Sequence, residues 1–194
     1  MHLKSVLCLS LFCSSAVFAV QPRIDQEQPA VDNIGPTLAI GSGSHQKLAQ
    51  VFTAGQSGRL THVMVPISCD AAATITVQIQ GVTGALPSGV VLASETMSGD
   101  TYPTYTPPYS TVPDAGFRLV EFQPAQVVTA GKPYAIVLSA IGDCSILSAP
   151  AGDFYTGGHA YYDALPNPPG WVRLAPPQGP SDDLSFQTFV LVRK

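Results

Sequence analysis

The sequence predicts an all-β fold, a two-sheet antiparallel β-sandwich. Three observations predict it. Short runs rich in Val, Ile, Thr, Phe and Tyr recur along most of the chain, and clusters of Gly, Pro, Ser and Asp separate them. No stretch sustains the 3.6-residue apolar period of an amphipathic helix. With 18 Pro and 17 Gly in 194 residues, long helices would be broken repeatedly.

The elements follow in order. Met1–Ala19 reads as an export signal: Lys4 in a short n-region, an apolar run from Val6 to Phe12, then small residues ending at Val17-Phe18-Ala19. The apolar core is too short to span a bilayer. Cys8 and Cys13 leave with this segment, and the residues before them, Leu7 and Phe12, are not those of a lipidation site. Residues 20–43, with Pro22, Pro29 and Pro36, are expected as an extended arm carrying one edge strand at Thr37-Leu38-Ala39-Ile40. Residues 44–194 are expected to form the sandwich domain. Its runs are Leu48–Phe52, Arg59–Ser68, Thr74–Gln80, Val90–Met97, Phe117–Phe122, Tyr134–Ala140, Gly158–Tyr162, Trp171–Leu174 and Leu184–Val192. Ile75, Val77 and Ile79 alternate cleanly, so they point to one face. His62 alternates with core residues and is expected to face solvent. A turn is expected at Leu86-Pro87-Ser88-Gly89. Jelly-roll connectivity is the favoured topology.

Composition excludes several classes. Charged residues make up 11% of the chain, and losing Lys4 with the leader moves the formal net charge from −4 to −5. Nothing is basic enough to seek phosphate backbones, so no nucleic acid is expected as partner. No second apolar stretch is long enough to span a membrane. The expected product is soluble, secreted or periplasmic. Cys69 and Cys144 remain, and in an oxidising compartment they are expected to form one disulfide. Two free thiols are the alternative. A bridge would close a loop of 75 residues, for which chain entropy gives about 4 kcal/mol.

Candidate chemistry is sparse. There is no G-x-S-x-G, and Gly41-Ser42-Gly43-Ser44-His45 lies in the arm. His45, His62 and His159 are scattered without metal-ligand spacing. Loop carboxylates are numerous, but no pair stands out as a glycosidase would require. Asp182-Asp183 offer hard oxygen donors and are the local candidate for a structural calcium; otherwise they are solvated loop residues. Gly99–Gly116 interleaves Tyr102, Tyr105 and Tyr109 with Pro103, Pro107, Pro108 and Pro113. Prolines hold such a segment extended. The tyrosines either contact a ligand or lie back over the sandwich. Trp171, the one tryptophan, follows the turn Asn167-Pro168-Pro169-Gly170. It either stacks on a ligand or plugs the core between the sheets. The expected ligand surface is Tyr102, Tyr105, Tyr109 and Trp171.

The blocks "QVFTAGQSGRLTHVMVPIS", "ITVQIQGVTGALPSGVVLASETM", "FRLVEFQPAQVVTAGKPYAIVLSA", "YTGGHAYYDALPNPPGWVRL" and "DDLSFQTFVLV" follow one another over Gln50–Val192. In that order they resemble the β-sandwich modules of secreted bacterial proteins, the choice-of-anchor type. The resemblance implies a jelly-roll-like fold and an extracellular setting, and no assigned catalytic site. The tyrosine–proline insert is longer than the usual connection, and no anchoring tail is read after Lys194. The function expected is a secreted, non-catalytic binding or surface module for carbohydrate or another extracellular polymer. A small secreted hydrolase using loop carboxylates and a structural envelope protein are the alternatives.

Overall fold

The computed structural model describes residues 21–32, 37–102, 117–167, 169–175 and 181–192. Thirteen strands account for most of them. In chain order they are β1 (Arg23–Gln28), β2 (Thr37–Gly41), β3 (Lys47–Thr53), β4 (Gly58–Val65), β5 (Ile67–Cys69), β6 (Thr74–Thr83) and β7 (Leu86–Ser98). Then come β8 (Arg118–Val128), β9 (Pro133–Ile141), β10 (Asp143–Leu147), β11 (Ala160–Asp163), β12 (Val172–Arg173) and β13 (Phe186–Leu191). The helical content among the described residues is one 3₁₀ turn, Gly99–Thr101.

The strands form three antiparallel sheets. One has the order β1-β13-β4-β8, a second β2-β10-β5, and the largest β12-β11-β3-β9-β6-β7. The four- and six-stranded sheets face each other across one core. From the six-stranded sheet come Leu48, Phe52, Ile75, Val77, Ile79, Ile136 and Leu138. From the four-stranded sheet come Leu60, Val63, Val120, Phe122, Phe186 and Val190. Rings tie the layers: Phe52 and Phe186 lie 6.3 Å apart between centroids, and Tyr155 meets Phe186 edge-on at 5.0 Å. The fold is therefore the antiparallel β-sandwich expected from the period-two alternation.

Three local differences have physical causes. The run Arg59–Ser68 is two strands, because Pro66 carries no N–H to continue the ladder. Val65 ends β4 in the four-stranded sheet, and Ile67 starts β5 in the three-stranded one. The β6–β7 turn is Gly84-Ala85, closed by the Thr83–Leu86 pair. Gly84 takes φ +65°, which favours glycine at the first position of a two-residue hairpin. Leu86-Pro87-Ser88-Gly89 lies inside β7 instead of forming the turn. Finally, the stretch expected as an arm supplies two strands. β1 pairs with β13 from Arg23–Val190 to Gln28–Phe186, and β2 pairs with β10 at the edge of its sheet. Gly41, at φ +78°, ends β2 against the carbonyl of Gly142, where a side chain would collide.

Cys69 and Cys144 are bonded and sit directly opposite each other on β5 and β10. Among the described residues no helix is long and apolar enough to cross a membrane.

Candidate functional site

The six-stranded sheet has a second face, turned away from the core. Strand alternation places Ala49 and Val51 of β3, Ala135 and Val137 of β9, and Tyr161 of β11 on it, while their sequence neighbours point inward. These five form their own apolar cluster, with Val82 and Trp171 packed against it. Trp171 is thus half-buried on the outer surface and does not plug the space between the sheets. Farther across, the same face carries Thr76, Gln78 and Gln80 of β6 and Ser94 and Thr96 of β7. Those side chains are hydroxyls and amides without charge.

Beside the aromatic pair lies a polar group built from three segments. Arg173 stands opposite Tyr161 in the β11–β12 pair. Its Nη2 donates to Asp182 Oδ1 at 2.8 Å and to His159 Nδ1 at 3.1 Å. Asp153 Oδ2 lies 3.9 Å from His159 Nδ1 and 4.0 Å from Arg173. Burial pushes the Tyr161 hydroxyl above its usual range, and Arg173 opposes this.

The expected site residues distribute differently. Tyr102 is 8% exposed and belongs to the core, its hydroxyl donating to Met97 Sδ at 2.8 Å. Burial raises its pKa to about 12. It covers the core and does not line a ligand surface, because the 3₁₀ turn before it folds the ring back under β7. Tyr105 and Tyr109 lie outside the described residues. Asp182 and Asp183 are separated in function by the chain. Asp182 pairs with Arg173 on the surface. Asp183 is fully buried: Oδ1 accepts from Gln50 Nε2 at 3.2 Å, and Oδ2 from the backbone N–H groups of Phe154 at 3.1 Å and Tyr155 at 3.0 Å. Gln50 in turn accepts from Leu184 N–H at 2.7 Å, and Ser181 Oγ accepts from Asp183 N–H at 3.2 Å. Burial raises the Asp183 pKa above the ordinary carboxylate value, and these hydrogen bonds oppose the rise.

Calcium needs six to eight oxygen donors. Here Asp183 accepts from three N–H donors and Asp182 pairs with the Arg173 guanidinium. Among the described residues no group of three or more His, Cys, Asp or Glu side chains is arranged to hold a metal ion.

Sequence reasoning missed Tyr161, Arg173, His159 and Asp153 as a group. The run Gly158–Tyr162 reads as a strand, but which face Tyr161 takes is set by pairing with β3 and β12.

No protein-family model matches this chain, and no curated protein is significantly similar to it.

Proposed function

We propose that the protein is an exported, non-catalytic module that binds an uncharged extracellular polymer, a glycan above all, on the outer face of its six-stranded sheet. The observation that carries this reading is Trp171. An indole sits half-exposed on an apolar outer cluster, with Arg173 beside it and the hydroxyls and amides of β6 and β7 farther across the same face. Sugar rings ask for that pair of features: an aromatic face for their C–H groups, and donors and acceptors for their hydroxyls. The leader-like first nineteen residues and the Cys69–Cys144 bridge support an oxidising, extracytoplasmic setting. The block order over Gln50–Val192 supports kinship with the choice-of-anchor modules. Tyr105 and Tyr109 belong to the proposal as further contacts by sequence alone.

The test is retention of the purified chain in native gels cast with soluble neutral polysaccharides. Retardation of the wild type, lost in Trp171→Ala and kept in Trp171→Phe, supports the reading. Equal retardation of the Trp171→Ala variant overturns it. So does release of reducing ends that stops in Asp153→Asn or Asp182→Asn, which would favour the hydrolase alternative.

A further inference from the structure

The strand register orders the outer face into rows. In the β11–β12 pair, Tyr161 faces Arg173 and Tyr162 faces Val172, so Asp163 is next in line with Trp171. Asp163 faces Lys47 across β11 and β3. Lys47 and Ser139 come next beyond the Leu48–Leu138 pair of β3 and β9. Ser139 faces Thr76, and Thr76 faces Thr96. One outward row therefore runs through all six strands: Trp171, Asp163, Lys47, Ser139, Thr76, Thr96.

This row differs from the row beside it. The neighbouring line, Arg173, Tyr161, Ala49, Val137, Gln78 and Ser94, is small or apolar through its middle. In the first row every position after the indole carries a hydrogen-bonding side chain, and none is fully buried. Thr76 and Thr96 share a hydrogen bond at 3.0 Å on exposed surface, and Asp163 Oδ1 accepts from Gly170 N–H at 3.4 Å. The one cation and the one carboxylate cancel, so the row has no net charge.

Resting on the binding function proposed above, we infer that the ligand is a linear, uncharged polysaccharide lying across the strands along this row, with one sugar stacked on Trp171. Two arguments set the direction. Trp171 lies at one end of the six-stranded sheet and the Thr and Ser hydroxyls of β6 and β7 at the other. A chain running along β6 never reaches the indole, whereas a chain running across the strands meets both. Adjacent strands lie about 4.8 Å apart, so the five steps span about 24 Å, the length of about four or five hexose units. The spacing offers about one polar group per sugar. An anionic polymer gains nothing from a row whose single lysine stands beside an aspartate.

The experiment measures affinity by calorimetry for a ladder from disaccharide to hexasaccharide of the neutral polysaccharide that retards the protein most, with alginate as the anionic control. Affinity is expected to climb up to the tetra- or pentasaccharide and then level off. Thr76→Ala/Thr96→Ala is expected to weaken hexasaccharide binding about tenfold and leave the disaccharide unchanged. Thr76→Ser/Thr96→Ser keeps the hydroxyls and should bind like wild type, separating lost contacts from a disturbed sheet. If Trp171→Ala abolishes binding but affinity is independent of length, or the double alanine variant binds the hexasaccharide normally, the cross-strand path is wrong and the binding function stands. If alginate binds more tightly than every neutral polymer, the assigned ligand class is wrong. If no neutral polymer retards the wild type, both the path and the function fall.

Discussion

Asp183→Ala is the sharpest test of how this fold holds its loops. The wild-type carboxylate satisfies the part-buried N–H of Phe154 and the buried N–H of Tyr155, and receives Gln50 Nε2. Alanine takes the acceptor from both backbone donors, that of Tyr155 in a buried site and that of Phe154 in a half-buried one. Each orphaned buried donor costs about 1–3 kcal/mol. Gln50 Nε2 keeps its bond to the Val51 carbonyl, so it adds little. Burying the carboxylate is itself unfavourable, as its raised pKa indicates, and removing it returns part of the loss. The balance is a destabilisation of about 3 kcal/mol, which for a domain of this size lowers Tm by about 6–12 °C. Differential scanning calorimetry of the oxidised protein at neutral pH measures it. A fall under about 2 °C would refute the reasoning, because it would mean that the Phe154 and Tyr155 N–H groups find water or other acceptors at little cost.

Three further outcomes are expected. Replacing both Cys69 and Cys144 by alanine should cost about 4 kcal/mol from the 75-residue loop alone, read as a drop in Tm against the oxidised wild type. Tyr102→Phe should change Tm little and Tyr102→Ala should lower it by several degrees, with polysaccharide retention unchanged in both; lost retention at full stability would put Tyr102 back at the ligand surface. Burial raises the Asp25 pKa above 3.8, so the folded state holds this proton more tightly than the unfolded state. The residue's contribution therefore favours folding below 3.8 and is lost as pH rises through the raised value. Measured from pH 4 to 7, the stability of wild type relative to Asp25→Asn should fall with rising pH; a flat difference would show that burial does not govern this carboxylate.

The strands that proved legible were those with an apolar face to bury. Ile75, Val77 and Ile79 announce β6 because each second residue must leave water. β1 gave no such signal. Its sequence RIDQEQ holds one apolar residue, and what fixes it is the partner: Gln26 N–H donates to Thr188 Oγ1 and Gln28 is buried between its neighbours. β10 is five residues long, with the bridged Cys144 as its second residue, too short to show a period. The site was legible only as residue types. Trp171 was visible as the lone indole, but its outward position depends on the two-residue strand Val172–Arg173 pairing with β11. Two residues carry no periodicity to read. Lys47, Ser139, Thr76 and Thr96 are dispersed through the chain, and only antiparallel register brings them into line.

The pairing of β1 with β13 also decides how the domain would respond to tension. Arg23, where β1 begins, lies opposite Val190, where β13 is about to end. Chain entering β1 and chain leaving β13 therefore meet at one corner of the sandwich. A pull applied through both would load the Arg23–Val190 rung first and then each rung behind it in turn, as a zipper opens, and not all rungs together as in shear. The first strand to part would be β1, an edge strand, while the core between the two large sheets and the Cys69–Cys144 crosslink would stay outside the initial line of force.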